Sequence, residues 1–268
     1  MDLQLDGKTA LVTGSTAGIG LEISKRLAAE GVRVTIVGRS QDKLDEAAAT
    51  VAAEAPSGAA QSGVHAILAD LATAEGAAKV ASQLPDVDIL VNNLGIYESK
   101  AFVDISDDDW RHYFEVNVLS GARLARQYFP GMLKRNWGRI IFVASESALM
   151  VPPDMIHYGM TKTAQLAISR GLAGLTRGTR ITVNSVLPGP TRSEGIVDFL
   201  KSVARDPGAP AAELEAQFFA RDRPSSLLQR MIEPEEIASL VAYVASPLAA
   251  ATNGAALRVD GGLTPTIA

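Results

Sequence analysis

The sequence lacks cysteine and has few histidines. Without cysteine, disulfides, thiolate catalysis and cysteine metal sites are excluded. The three histidines, His65, His112 and His157, are scattered and form no pair at metal-ligand spacing. We therefore expect no metal site.

Long apolar runs and an excess of basic residues are also missing. No segment approaches the ~18 consecutive apolar residues that a membrane helix needs. Residues 1–8 lack the basic and then apolar order of a signal peptide. Lys and Arg number 25 against 30 Asp and Glu, giving a net charge of −5, which argues against a basic-patch nucleic-acid binder. We expect a cytoplasmic protein with no nucleic-acid or membrane partner.

The composition is that of a globular chain, with 47% hydrophobic and 21% charged residues over 268 positions. This length suits one α/β domain spanning 1–268. Continuously apolar runs typical of buried parallel strands occur at 9–14, 33–38, 64–70, 87–93, 138–145, 180–188 and 256–260. Helical patterns fall between them at 19–30, 42–53, 73–84, 107–135, 158–176 and 233–245. The alternation predicts one doubly wound parallel sheet, Rossmann-like, with about seven strands and helices on both faces.

Three further segments carry specific expectations. Ser106 and the acidic residues that follow it favour a helix start, so we predict a single long helix over 107–135. Residues 56–63 are predicted to form a surface loop. The long segment 190–232 contains apolar clusters at 196–200, 218–219 and 227–228, and we predict a substrate lid there. A plain surface insertion is the alternative.

A glycine-rich turn follows the first predicted strand and opens a helix. Gly14, Gly18 and Gly20 follow the spacing Gly-x3-Gly-x-Gly. Glycines let backbone N–H groups approach a pyrophosphate, and a helix N-terminus favours its negative charge. Residues 92–95 (Asn-Asn-Leu-Gly) end the fourth predicted strand, where open parallel sheets bind ligands; an ordinary polar turn is the alternative.

Tyr158 and Lys162 are spaced i, i+4, which places them on one face of a predicted helix. A phenol with a pKa near ~10 is a poor proton donor at neutral pH, and a nearby cation stabilises its phenolate form. Such a pair can transfer a proton. Ser145 ends the preceding predicted strand. The Tyr-x3-Lys spacing is common by chance and takes its meaning from the other motifs.

Together these residues resemble the short-chain dehydrogenase/reductase family. The likeness runs from residue 5 to residue 262. It rests on 13–20, Asp70, 92–95, Asn117, Ser145, Tyr158 with Lys162, 188–189 and 259–262.

The resemblance implies a role for each catalytic residue. Tyr158 would be the general acid in carbonyl reduction and the general base in alcohol oxidation. Ser145 would hydrogen-bond the substrate oxygen, with Ser147 as the alternative serine. Lys162 would hold the nicotinamide ribose hydroxyls and lower the pKa of Tyr158. Asn117 would hold a water in a proton relay to Lys162.

The resemblance also implies a nicotinamide cofactor. In this fold an acid after the second strand selects NAD, whereas an arginine favours NADP. Here Gly38 takes the acid position, and Arg39 and Ser40 follow, which indicates NADP. A solvated loop charge is the alternative for Arg39, and Ala17 stands where many NADP-dependent members carry a basic residue, so NAD stays possible. The implied cofactor-binding residues are Gly14, Ser15, Thr16, Gly18, Ile19, Gly20, Arg39, Ser40, Asp70, Leu71, Asn93, Gly95, Tyr158, Lys162, Pro188, Gly189 and Thr191.

Mostly apolar side chains are expected to wall the substrate pocket, which favours a hydrophobic ketone or secondary alcohol. They are Ile96, Tyr97, Ser147, Leu149, Met150, Met155, His157, Pro190 and the lid aromatics. His157 would contact the substrate or, alternatively, be a packed histidine.

Two other functions stay open. One is a 3-oxoacyl-thioester reductase, whose acidic acyl carrier protein would need a basic docking face. Its candidate residues, which serve equally as helix-end cations, are Lys134, Arg135, Arg139, Arg177 and Arg180. The other is a non-catalytic dinucleotide-binding sensor. The resemblance further implies a homodimer or homotetramer formed through helices 107–135 and 158–176.

Overall fold

The computed structural model describes residues 1–56, 64–193, 196–204 and 206–267, with the backbone only at 197–198 and 202–203. The predicted loop 56–63 lies outside the described residues except for Pro56. Seven parallel strands form one sheet in the order β3-β2-β1-β4-β5-β6-β7. Their bounds are β1 Thr9–Val12, β2 Arg33–Gly38, β3 His65–Leu68, β4 Ile89–Asn92, β5 Gly138–Val143, β6 Ile181–Pro188 and β7 Ala256–Val259. The predicted fold class is confirmed.

Alternating strand residues serve two separate cores, one on each face of the sheet. Val12 and Ile36 belong to the core that includes residues of helices Gly18–Ala29 and Pro234–Ala245, whereas Leu11 and Val37 belong to the core on the opposite face. Because both faces are covered, every residue of β5 and β6 is buried, which explains the unbroken apolar runs.

The predicted helices 19–30, 42–53, 73–84, 158–176 and 233–245 are observed with small differences at their ends. The described helices are α1 Gly18–Ala29, α2 Gln41–Ala53, α3 Ala74–Gln83, α4 Asp107–Phe114, α5 Ser120–Arg135, α6 Ile156–Gly174, α7 Ile196–Val203, α8 Ala211–Asp222 and α9 Pro234–Ala245. The predicted Ser106 N-cap is confirmed, because its side chain accepts from the Asp109 N–H and forms a capping box with Asp109.

The prediction of one uninterrupted helix over 107–135 is wrong. A π-helical turn, Glu115–Leu119, separates α4 from α5. It buries Asn117, whose amide bonds the backbone of Ile96 and the Thr161 hydroxyl. Wide turns of this kind often lie at functional sites.

The predicted lid segment folds into α7 and α8 over a small core of its own. Leu200, Leu214, Phe218, Phe219 and Met231 form that core. Arg192 anchors the segment through ion pairs to Glu215 (3.2 Å) and Glu233 (3.0 Å). The segment is therefore packed and anchored, and its role as a substrate lid stays a prediction.

The order of the strands places the site. β1 pairs with β2 on one side and with β4 on the other, so the chain direction of the crossovers reverses between β1 and β4. Open α/β sheets bind ligands in the crevice outside the carboxyl ends of the strands at this reversal. The glycine-rich turn follows β1, and Asn93 follows β4.

Candidate active site

A cavity of about 390 Å³ opens at the carboxyl ends of β1, β4, β5 and β6. It brings together many of the residues singled out from the sequence. Those that line it are Gly14, Gly18, Ile19, Asn93, Gly95, Ser145, Tyr158, Lys162, Pro188, Gly189 and Thr191.

The glycine-rich turn forms a cradle that leaves no room for side chains at two positions. Gly14 has φ +60°, and a Cβ there would lie 3.1 Å from the Leu94 Cα. A Cβ at Gly20 would lie 2.2 Å from the Gly14 carbonyl oxygen. Asn93 fixes the turn, because its Nδ2 donates to the Thr13 carbonyl at 3.0 Å and to that of Gly14 at 3.1 Å. A bare backbone turn before a helix N-terminus fits a dinucleotide pyrophosphate.

Several predicted cofactor residues lie outside this cavity. Ser15 is buried, and its Oγ accepts from the Val37 N–H at 2.9 Å. Leu71 is buried in the core. The side chains of these two residues therefore face the protein interior, and only their backbone is left for a cofactor. Thr16 is half-buried beside β2, and Ser40 is exposed just before α2.

The end of β2 carries the residues expected to distinguish NADP from NAD. The Arg39 side chain is 74% exposed, and its Nη1 lies 3.9 Å from Asp70 Oδ2. A Cβ at Gly38 would lie 2.7 Å from Thr16 Cγ2, so a side chain at position 38 requires Thr16 to move. Arg39 thus presents an exposed guanidinium beside Asp70 at this edge of the sheet.

Ser145, Tyr158 and Lys162 meet on one wall of the cavity. Ser145 follows β5, whereas Tyr158 and Lys162 lie one turn apart in α6. The Lys162 Nζ donates to the Val143 carbonyl at 3.0 Å and lies 5.6 Å from the centre of the Tyr158 ring. Burial lowers the pKa of Lys162 to about 8. A protonated lysine and a buried phenol thus share the wall.

The pKa of Tyr158 shifts in the direction opposite to the expected one. Burial raises it well above its usual value, and the neighbouring Glu146 carboxylate raises it further. A hydrogen bond with Ser145 acts the other way but is the weaker influence. The resemblance implies that Lys162 lowers the pKa of Tyr158. That effect is not seen here, where the Lys162 ammonium is hydrogen-bonded to the backbone.

Asn117 lies in the π-helical turn and braces the loop after β4. Its Oδ1 accepts from the Ile96 N–H at 2.8 Å, while its Nδ2 donates to the Ile96 carbonyl and to Thr161 Oγ1, both at 3.0 Å. Both hydrogens of Nδ2 are used within the protein. A role for Asn117 in a proton relay stays a prediction.

Two charged residues that the sequence reasoning missed also line the cavity. Glu146 is only 6% exposed; it accepts hydrogen bonds from Ser145 Oγ at 2.5 Å and Ser147 Oγ at 3.3 Å. Burial raises the pKa of Glu146. Arg223 follows α8, with its guanidinium 5.3 Å from the centre of the Phe218 ring. Only Glu146 had a signal in the sequence, because it stands next to the predicted catalytic Ser145.

The rest of the cavity wall is largely apolar, as expected. Of the predicted wall residues, Ile96, Tyr97, Ser147, Met155 and Pro190 line it, joined by the lid residues Ile196, Phe199 and Phe218.

The other wall predictions are wrong. Leu149 and Met150 are exposed at the surface, and Phe219 is buried in the lid core. His157 is fully buried, with its ring centre 4.1 Å from that of Tyr113. The packed-histidine interpretation is therefore the correct one.

The structure removes one residue, Arg139, from the basic docking face considered for an acyl carrier protein. Arg139 is buried, donates to the carbonyls of Gly138 and Arg180, and has its pKa lowered to about 10 by burial. Arg135 forms an ion pair with Asp86 at 2.5 Å. At least one of the five cations is thus structural and faces no partner.

Two other expectations concern membranes and metals. Among the described residues, no helix combines the length and apolar character needed to cross a membrane. In the same part of the chain, no group of three or more His, Asp or Glu side chains is placed to hold a metal ion.

Comparison with known proteins agrees with this geometry. The short chain dehydrogenase family matches residues 8–201. An uncharacterised oxidoreductase of Bacillus subtilis, YvaG, is 48% identical over 267 residues, covering 100% of both chains. D-beta-hydroxybutyrate dehydrogenase of Cupriavidus necator is 33% identical over 260 residues, covering 96% of this chain and 98% of the relative.

A solved structure gives the same result. L-sorbose reductase from Gluconobacter frateurii, solved as a complex with NADPH and L-sorbose, is 32% identical to this chain. The two structures superimpose with a TM-score of 0.90, and the match covers 100% of both chains. The similarity to these relatives thus extends over the whole chain. It covers the segments that form the sheet, the glycine cradle and the wall of Ser145, Tyr158 and Lys162. The chain belongs to the short-chain dehydrogenase/reductase family and is an NAD(P)-dependent oxidoreductase.

Proposed function

We propose that the protein interconverts a carbonyl and a secondary alcohol on a hydrophobic small molecule, with a preference for NADPH. One observation carries this proposal. Ser145, Tyr158 and Lys162 share a cavity wall that is continuous with the glycine cradle and faces apolar lid residues such as Phe199 and Phe218. A cofactor on the cradle and an apolar substrate under the lid would meet at this wall.

The chain's own groups would hold the cofactor in a simple arrangement. The glycine-rich turn and the N-terminus of α1 would take the pyrophosphate, Arg39 the 2′-phosphate and Lys162 the nicotinamide ribose. When bound, the nicotinamide supplies or accepts the hydride.

Ser145 and Tyr158 would act on the substrate oxygen. Ser145 would donate a hydrogen bond to it and stabilise the negative charge that develops during reduction. Tyr158 would deliver the proton to that oxygen, or remove it in oxidation. Binding of the nicotinamide ribose by Lys162 would turn its ammonium group away from the Val143 carbonyl and toward the Tyr158 hydroxyl. There the positive charge would lower the pKa of Tyr158. The raised pKa of Tyr158 is therefore expected to fall when the cofactor binds.

The cofactor preference is supported by the end of β2. Position 38 has no carboxylate to bind a ribose 2′-hydroxyl, and the exposed Arg39 guanidinium lies where a 2′-phosphate would be bound. L-sorbose reductase, a solved relative, is complexed with NADPH, which is consistent with this choice. Binding of NAD stays part of the proposal as the weaker alternative.

The substrate class is supported by the cavity wall, and the 3-oxoacyl-thioester reductase stays the alternative. The buried Arg139 removes one cation from the docking face that an acidic carrier would need. We also propose a homodimer or homotetramer through α5 and α6, which the family resemblance suggests.

Initial rates of NADPH and NADH consumption against ketones, diketones and 3-oxoacyl thioesters test this proposal. We expect turnover of a ketone or diketone with NADPH, at a higher kcat/KM than with NADH. Preference for 3-oxoacyl thioesters would instead select the carrier-protein alternative. Tight dinucleotide binding without turnover of any class would favour the sensor.

A further inference from the structure

The Ser145 hydroxyl is hydrogen-bonded to a buried acid rather than directed freely into the cavity. Its Oγ lies 2.5 Å from Glu146 Oε2, and Glu146 is only 6% exposed. We propose that Glu146 is a positioning residue whose proton decides whether Ser145 can donate a hydrogen bond to the substrate oxygen. This inference rests on the proposed function, because it concerns the same serine.

The argument begins with the hydrogen-bond capacity of a serine, which has one hydrogen and two lone pairs. The Ser147 N–H donates to Ser145 Oγ at 3.1 Å and occupies one lone pair. An ionised Glu146 can only accept, so the single Ser145 hydrogen must point to Glu146 Oε2. A substrate carbonyl oxygen, which also only accepts, then finds no donor on Ser145.

Protonation of Glu146 reverses this bond. The carboxylic O–H donates to Ser145 Oγ, so both Ser145 lone pairs are occupied, one by Glu146 and one by the Ser147 N–H. The Ser145 hydrogen is then left for an acceptor on the cavity side, which is the Tyr158 oxygen or a substrate oxygen that takes its place. The same heavy-atom positions thus give a serine that donates to the substrate or one that does not.

Charged and titratable groups approach Glu146 from three elements. Ser145 and Ser147 on its own turn donate to it, Tyr158 and Lys162 face it from α6, and Arg223 faces it from the end of α8. The serines and Arg223 favour the ionised carboxylate, whereas burial opposes it more strongly, so the pKa of Glu146 is raised. Glu146 therefore keeps its proton at pH values where an exposed glutamate has lost it.

The first test needs neither cofactor nor substrate. Urea unfolding of the wild type and Glu146→Gln is compared over a pH series, with Glu46→Gln, on an exposed position of α2, as the matched control. The pKa of Glu146 is higher in the folded protein than in the unfolded chain. The stability that this difference provides is fully present below the unfolded pKa and is lost as the pH rises through the folded pKa. Above pH 4.5, the unfolding constant of the wild type should therefore rise about tenfold per pH unit relative to Glu146→Gln, until the folded pKa is reached.

Infrared spectroscopy provides a second readout if Glu146→Gln fails to fold. The C=O band of a protonated carboxyl should persist in the wild type after exposed acids have ionised. In Ser145→Ala it should persist to higher pH, because the donor that favours the carboxylate is gone. The proposal would be overturned if the unfolding constants of the wild type and Glu146→Gln depended on pH in the same way and the infrared band of the buried acid were lost at the same pH as that of exposed acids.

The pH profile of NADPH-dependent reduction tests the effect on Ser145, with 2,3-butanedione as the probe. In the wild type, kcat/KM should fall about tenfold per pH unit above the Glu146 midpoint found by infrared spectroscopy. Glu146→Gln donates permanently through its amide, so its profile should stay flat over that range. An equal fall in both proteins would overturn the proposal. Absence of wild-type turnover would count against the proposed function, while the unfolding and infrared results would still decide the state of Glu146.

Discussion

Lys162 Nζ donates to the Val143 carbonyl at 3.0 Å while lying 5.6 Å from the centre of the Tyr158 ring. The ammonium is thus held at the end of β5, beside the phenol but not bonded to it. This arrangement places a buried charge next to a buried acid. A measurement of the pKa of Lys162 or of Tyr158 therefore probes the proton-transfer part of the site.

Replacing Lys162 by Met should change how stability depends on pH. The folded pKa of about 8 lies below the unfolded value of 10.5. Between these values the unfolded chain binds the extra proton, so the free energy of unfolding of the wild type should rise relative to Lys162→Met by up to about 1.4 kcal/mol per pH unit. Urea unfolding from pH 7 to about 10.5 measures this, with the exposed Lys43→Met as the control. Parallel curves for wild type and Lys162→Met would contradict the burial of a titrating Lys162.

Arg39→Asp should weaken NADPH binding selectively. Loss of a charge-assisted phosphate contact, with a repelling carboxylate in its place, should raise the Kd for NADPH at least ten- to a hundredfold, by about 1.5–3 kcal/mol. The Kd for NADH should change little. Arg33→Asp, at the opposite end of the same strand, is the matched control. Calorimetric titration with both cofactors measures the effect, and an equal loss for both would show that Arg39 does not contact the 2′-phosphate.

Gly20→Ala should destabilise the protein, because the added Cβ would lie 2.2 Å from the Gly14 carbonyl oxygen. Overpacking of this kind costs about 1–3 kcal/mol and would open the cradle, so dinucleotide affinity should fall as well. Gly171→Ala is the control, since in the described part of the chain no atom beyond its own stretch of α6 lies within 4 Å of the added Cβ. Thermal unfolding separates the two. Unchanged stability in Gly20→Ala would contradict the close approach, and a loss in Gly171→Ala would indicate that a second copy packs on α6.

Much of the fold follows from the sequence, because burial on both faces leaves a clear pattern. The apolar runs of β5 and β6 and the capping signal at Ser106 each predict a structure that is observed. The break in helix 107–135 was not predictable in this way. The π-helical turn at Glu115–Leu119 has an ordinary helical composition, and the contact that accompanies it, from Asn117 to Thr161, joins residues 44 positions apart.

The candidate site divides in the same manner. Gly14, Ser145, Tyr158 and Lys162 meet because motifs at the ends of neighbouring parallel strands converge. Glu146 and Arg223 were missed, since a glutamate and an arginine in predicted loops are usually solvated. Only the packing of the lid shows that both reach the cavity. His157 was misplaced for a related reason: its neighbour on α6 faces the cavity while His157 itself packs on Tyr113.

The rate of NADPH-dependent carbonyl reduction by Tyr158→Phe tests the central claim most directly. Removing the phenol hydroxyl should lower kcat at least about 10²-fold, because delivery of the proton is assigned to this hydroxyl, while NADPH still binds. Tyr243→Phe, at the exposed surface of α9, is the matched control and should keep the wild-type rate. A Tyr158→Phe enzyme that reduces the same substrate at an undiminished rate would contradict the account.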